Sequence, residues 1–152
     1  LAGAGQHVDD HTTISHAAGE TRSRETFRGI VGNRGRGVFN GKVIVEPKCQ
    51  RIDAEQRNDN LLLGYQAEID TKPELEIYAN DVKCSHGSTV GELDPEQLFY
   101  LRARGLTAAV ARRLLTVAFA TTIVEPSSIV ISDPTSSRTP ASRACTCAST
   151  MP

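Results

Sequence analysis

The sequence predicts a mainly β chain that gives way to a short pair of helices near its C-terminal end. Three observations carry this expectation: apolar residues recur with period two before about Gly91, turn-forming residues interrupt them at short intervals, and the period changes after Gly91. Phe39, Gly41, Val43 and Val45 alternate with Asn40, Lys42, Ile44 and Glu46, as in a half-buried strand. Leu75, Ile77 and Ala79 alternate with Glu76, Tyr78 and Asn80 in the same way. The stretch Gly32 to Gly37, Glu46-Pro47, Asn58-Asp59-Asn60 and Thr71-Lys72-Pro73 read as turns. Leu61-Leu62-Leu63, closed by Gly64, reads as a strand buried on both faces.

Short strands with frequent turns fit a sandwich, a barrel or a β-solenoid. An aromatic fraction of 5% and the absence of Trp favour a solenoid, whose narrow interior is filled by Val, Ile, Leu and Ala. No clean internal repeat is visible, and periodicity alone leaves the three open.

After Gly91 the sequence carries a helix start. Asp94 is placed to cap free amides, Pro95 suits the first helical position, and Gln97 follows three residues on, as in a capping box. This helix, 95–104, is expected to end at Gly105. Thr107 then caps a second helix, 108–124, with Val110, Leu114 and Val117 on one stripe, ending before Pro126. Beyond it the composition shifts to Ser, Thr, Pro and Ala, which has little to bury and reads as a flexible tail. The chain is thus expected to divide into a β body at 1–92, a helical pair at 93–125 and a tail at 126–152.

Composition narrows the function classes. With 152 residues, 39% hydrophobic and 23% charged, the chain suits one globular domain. A net charge of -1 argues against nucleic acid or an anionic membrane as a partner. No apolar run reaches the roughly 18 residues that crossing a bilayer takes. Leu1 to His7 lacks the basic and apolar regions of a signal peptide, and the only methionine is Met151. The chain is therefore expected to be a fragment whose N-terminal part is missing. Cysteines at 49, 84, 145 and 147 lack the dense spacing of a disulfide scaffold and fit a reducing compartment.

Cys84-Ser85-His86 is the stretch richest in chemistry. On a strand, Val82, Cys84, His86 and Ser88 share a face, and thiolate with imidazole suits iron, zinc or an iron–sulfur species. Two ligands leave a tetrahedral site half filled, so a metal here needs donors from elsewhere. The plain alternative is a buried cysteine beside a hydrogen-bonded histidine. A metal-dependent enzyme is a weaker reading, because no general base or substrate pocket accompanies the pair.

Other candidates read more simply. Gly41-Lys42 resembles the end of a phosphate loop, but Arg36 stands where Gly is needed and Val43 replaces Ser or Thr. Gly35-Arg36-Gly37 is followed by Asn40, so the dinucleotide fingerprint fails too, and no nucleotide site is expected. His7, His11 and His16, interleaved with Asp9 and Asp10, read as an exposed, partly frayed strand. Cys145 and Cys147 read as tail residues, and Asp53, Glu55 and Asp59 as a solvated face.

The stretch Arg36 to Val45, Asn60-Leu-Leu-Leu63 and Asp70 to Ala79 resembles the SufB/SufD family, the scaffold proteins of the SUF iron–sulfur cluster assembly system. Asp81-Val-Lys-Cys-Ser-His-Gly-Ser-Thr-Val-Gly91, with Leu98-Phe-Tyr-Leu-Arg-Ala-Arg-Gly105, is similar to the SufD branch. The resemblance covers roughly His11 to Ala120. It implies a right-handed parallel β-helix, truncated at its N-terminal end, followed by a small helical subdomain. It also implies a non-enzymatic scaffold that pairs with a SufB-like subunit through the end of the β-helix. The C-terminal helices, carrying Leu98, Tyr100, Arg102, Arg104, Arg112 and Arg113, would dock a SufC-like ATPase. His86, with Cys84 beside it, would lie at the heterodimer interface where a transient cluster is built, with no intrinsic cofactor. The alternative is an interaction module that bridges the complex without ligating metal or cluster. The implied compartment is the cytoplasm, or a plastid in a photosynthetic eukaryote. After Ala120 the sequence leaves the family pattern.

Overall fold

A computed structural model describes residues 1–121. Six strands come first: β1 (His7–His16), β2 (Arg22–Val31), β3 (Arg36–Val45), β4 (Ile52–Leu62), β5 (Glu68–Ile77) and β6 (Val82–Glu92). Two helices follow, α1 (Pro95–Ala103) and α2 (Ala108–Thr121). The strands form two parallel three-stranded sheets, ordered β1-β3-β5 and β2-β4-β6. The chain alternates between the sheets at every strand, so each strand pairs with the one two steps along. This winding is consistent with a β-helix. The expected tail and the end of the second helix, with Cys145 and Cys147, lie outside the described residues.

The register shows the repeat that the sequence hides. His7 pairs with Arg36 and Arg36 with Glu68, while Arg22 pairs with Asp53 and Asp53 with Lys83, so one coil takes about thirty residues. Each inward position thereby forms a column through successive coils. The Gly41 column runs Thr12, Gly41, Pro73; the Gln56 column runs Glu25, Gln56, His86. The columns change residue type from coil to coil, which is why no repeat is visible in the sequence.

Two apolar clusters occupy the ends of the strands. Val43, Val45, Cys49, Ile52, Ala54 and Ala79 form one, with Ile14, Leu75, Val82 and Cys84 against it. Ala2, Val31 and Ala67 form the other, with Val8, Leu62 and Ile69. Between them the interior turns polar: Gln56, Asn58 and Asn60 are each at most 3% exposed. Phe27 and Phe39 stack at 4.5 Å between the sheets and seal this band.

Several readings are corrected here. Asn58-Asp59-Asn60 is no turn but lies within β4, because its amides find partners inside the fold. Asn58 Oδ1 accepts from Asn60 Nδ2 (2.5 Å) and Thr71 Oγ1 (2.7 Å), and Asn60 Nδ2 also donates to the Thr89 carbonyl (3.2 Å). Thr71-Lys72-Pro73 likewise lies within β5, an edge strand, where a residue without an N–H is tolerated. Of Leu61-Leu62-Leu63, Leu61 is buried and Leu62 half-buried at the end of β4. β1 is not frayed, since it pairs with β3 from His7 to His16. His7 and His11 are exposed, but His16 is 1% exposed, its Nδ1 bonded to Thr21 Oγ1 (2.7 Å) and its Nε2 to Ser23 Oγ (3.0 Å).

The strand expected over Phe39 to Val45 is present, with Phe39, Gly41, Val43 and Val45 all buried. Gly41 is required by the polar band: a Cβ there would overlap Gln56 Nε2 and stand 2.7 Å from Phe39 Cζ. The helix signals also hold. Asp94 accepts from the Glu96 amide at 2.8 Å, Pro95 opens α1, and Gly105 takes φ +88°. The α2 stripe of Val110, Leu114 and Val117 is about half exposed, and Ala111 is the residue α2 buries.

Two predictions follow from this interior. Gly41→Ala overpacks the band and should destabilise the chain by about 1–3 kcal/mol, measured by urea unfolding. Burial lowers the His16 pKa from 6.5. The unfolded chain therefore takes up the proton first, and stability, complete above 6.5, falls as pH drops toward the folded-state value. Urea midpoints should decline in that window for the parent chain, and His16→Gln should flatten the decline.

Candidate functional site

β6 carries Lys83, Cys84, Ser85 and His86 and is the last strand of its sheet, so one edge of it has no partner strand among the described residues. Alternation places Val82, Cys84, His86 and Ser88 on the inward side. Val82 and Cys84 are half-buried against the apolar cluster, whereas His86 and Ser88 are exposed. The two candidate ligands therefore share a face but not an environment.

Burial pushes the Cys84 thiol up, against a lowering hydrogen bond with the Ala54 backbone, and the Asp53 charge pushes it further up. At neutral pH Cys84 is held as a thiol, and metal binding would have to displace its proton. His86 has no side-chain hydrogen bond or ion pair among the described residues. No group of three or more His, Cys, Asp or Glu among them is arranged to hold a metal ion. Cys84 and His86 can offer two donors, and further donors would have to come from outside these residues.

Supports of β6 lie on both sides of β4. Inside, Ser88 Oγ meets Thr71 Oγ1 at 2.9 Å, which ties β6 to β5 across the interior. Outside, Thr89 Oγ1 donates to Asp59 Oδ1 at 2.8 Å. Asp59 is 5% exposed and is not part of a solvated face, which corrects the reading from sequence. Burial pushes its carboxyl up, but hydrogen bonds from Thr89 and Arg57 and the charges of Arg57 and Arg28 outweigh this and leave it below its usual value. Asp53 and Glu55 pair with Arg22 and Arg24 along the same outer surface. A shallow cavity of about 250 Å³ lies along β4 and β6, with Arg57, Asp59, His86, Gly87 and Thr89 in its lining.

Arg28 joins this outer surface to the helices. Its Nη2 lies 3.5 Å from Asp59 Oδ2, its Nη1 donates to the Phe119 carbonyl at 2.9 Å, and its guanidinium stacks 4.8 Å from the Phe119 ring. The sequence reading did not single out Arg28 or Phe119. The signal would have been an arginine on β2 in register with Asp59, which is legible only once the coil length is known.

The helix residues singled out from sequence separate into two groups. Tyr100 lines an open apolar groove of about 930 Å³ between α1 and α2, with Phe99, Leu101, Leu114, Leu115 and Ala118. Phe99 is 74% exposed. Arg104 stacks on Tyr100 at 4.8 Å. Arg112 instead reaches the Leu63 carbonyl at 3.4 Å, toward the β body. Arg102 and Arg113 are exposed and Leu98 is half-buried. No helix among the described residues is long and apolar enough to cross a membrane.

A family model described as "SUF system FeS cluster assembly, SufBD core domain" matches residues 1–119. The chain is 48% identical over 117 residues to the iron-sulfur cluster assembly protein SufD of Escherichia coli, covering 77% of this chain and 28% of that protein. It is 46% identical over 125 residues to an iron-sulfur cluster assembly SufBD family protein of Synechocystis, covering 80% of this chain and 27% of that protein. It is 39% identical over 121 residues to the protein ABCI7, chloroplastic, of Arabidopsis thaliana, covering 79% of this chain and 26% of that protein. The chain thus spans between a quarter and a third of the length of these relatives.

Removing Arg28 should loosen the helices selectively. Arg28→Ala is expected to raise amide hydrogen exchange in α2 by about tenfold, the scale of a charged hydrogen bond. The amides of β3, which Arg28 does not touch, should keep their protection in the same experiment.

Proposed function

The chain belongs to the SufBD core family of the SUF iron–sulfur cluster assembly system, and from that premise we propose that it serves as a SufD-like scaffold subunit. It has no catalytic residues of its own in this reading. It pairs with a SufB-like subunit through the open end of a right-handed β-helix, and its helices receive a SufC-like ATPase. A cluster is built transiently at the paired interface as cargo, with His86 as the donor from this chain. The compartment is the cytoplasm, or a plastid if the source is photosynthetic.

One observation carries the proposal: β6 presents His86 on an inward column at an edge strand with no partner among the described residues. An edge with unpaired backbone donors and acceptors is a template for another chain. A partner docked there would stand beside His86, where it could add the missing ligands. The apolar groove between α1 and α2 supports the second contact, since Phe99 and Tyr100 are the kind of exposed aromatics that anchor interfaces.

Cys84 favours a second reading. Because burial raises its pKa, it is a poor thiolate donor in this conformation, and in this reading the chain bridges its partners without ligating metal or cluster at all. Anaerobic reconstitution of the full-length complex separates the two. With His86→Ala, cluster yield should fall by roughly tenfold or more while the partners still co-purify. Undiminished yield would remove His86 from the site, and loss of the partners with cluster retained on the remainder would favour the bridging role.

A further inference from the structure

We propose that Gln56 is a positioning residue for His86, holding one imidazole N–H from inside the β-helix and leaving the other ring nitrogen directed to the open end. This rests on the reading of His86 as the working residue of the site, although the hydrogen bond itself does not require that reading.

Glu25, Gln56 and His86 are consecutive members of one inward column. Gln56 is 1% exposed, and its Nε2 donates to Glu25 Oε2 at 2.7 Å. An ionised carboxylate only accepts, so Glu25 fixes which way the amide is turned. The NH₂ faces Glu25, and the carbonyl is presented toward the other neighbour in the column, which is His86. Gln56 Oε1 is buried and has no hydrogen-bond partner among the described residues. A buried acceptor left without a donor is costly, and native interiors seldom retain one.

Register limits the candidate donors. Thr12 Oγ1 is also buried without a partner, but Thr12 is the column neighbour of Gly41 and belongs to the coil of Glu25, on the side the NH₂ already faces. Pro73, the next member of the Gly41 column, has no donor. His86 is adjacent in register, exposed, and without a side-chain partner among the described residues. Rotation of its ring toward Gln56 satisfies the orphaned carbonyl and gives an exposed imidazole a fixed tautomer. A histidine whose inner nitrogen carries the proton offers its lone pair from the outer one, as ligand histidines commonly do. Gly41 leaves the space the Gln56 amide occupies, so the arrangement is built into the packing.

The test is nuclear magnetic resonance of the full chain with ¹⁵N-histidine, His86 being assigned by its disappearance in His86→Gln. The parent chain should show a slowly exchanging His86 ring N–H and a single tautomer. Gln56→Met, which keeps the volume and removes the acceptor, should speed that exchange roughly five- to tenfold. Glu25→Gln, which frees the amide to turn, should give an intermediate effect. Far-ultraviolet circular dichroism checks that both variants fold, and the parent spectrum is decisive if they do not. A His86 ring N–H that exchanges as in free histidine in the parent chain overturns the proposal, as does one unaffected by Gln56→Met. Either result leaves the ligand role of His86 to the reconstitution experiment, whose failure would in turn leave a protected N–H in place.

Discussion

The fold turns on a constraint that its own interior imposes. Between two apolar clusters the two parallel sheets enclose a band of amides, and every buried polar group in it needs a partner. Asn58 and Asn60 meet that need with Thr71, Ser88 and the Thr89 carbonyl, so β4 is bound to β5 and β6 through the interior as well as through the sheet. A register slip of one residue would turn these amides outward and bring Arg57 and Asp59 inward. The polar band therefore specifies the pairing more sharply than an interior of interchangeable aliphatics would. It also dictates composition around it: at Gly29 an added Cβ would overlap Asn60 Oδ1, and at Gly41 it would overlap Gln56.

The outer face of β4 answers the same constraint with charge. Asp59 lies under Arg28 and Arg57 and accepts from Thr89, so a nearly buried carboxylate is compensated from three directions. Arg28 then continues to Phe119. The consequence is a short physical route from α2 through β2 and β4 to β6. Such a chain of contacts is a structural connection only; coupling between the helices and His86 would require two arrangements of the same contacts that differ in free energy.

What was legible in the sequence was local. Asp94, Pro95 and Gly105 announce α1 because caps act within a few residues, and the alternation of Phe39 to Val45 reports one buried face of one strand. What was hidden depends on the coil length. Asn58-Asp59-Asn60 carries strong turn chemistry, and only partners in the neighbouring coils, Thr71, Ser88 and Thr89, make it a strand. His16 looks like one of three surface histidines until Thr21 and Ser23 are folded back onto it. The Cys84-Ser85-His86 stretch was visible as chemistry, but the contrast between a half-buried thiol and an exposed imidazole comes from where the apolar cluster ends. Of the groove between α1 and α2, Tyr100 and Leu114 were legible, but Phe99 was not, because its exposure depends on how the two helices meet.

β6 is where these constraints stop being met. Each earlier coil is followed by another that completes its backbone pairing and extends its inward columns. At β6 both the sheet edge and the Glu25–Gln56–His86 column reach the end of the described β body together. The outward positions Ser85, Gly87 and Thr89 offer little side-chain cover, and nothing lies within 4 Å of where a Gly87 Cβ would be. Long, uncovered edges are a liability that proteins usually blunt, and the edge that is unpaired among the described residues, with His86 beside it, is the one the proposed subunit pairing would cover. A partner strand would supply backbone hydrogen bonds and, by the same approach, side chains facing His86. Under the proposed function, cluster ligation and subunit pairing would be consequences of one event: the column that ends at β6 among the described residues is the column that carries the imidazole.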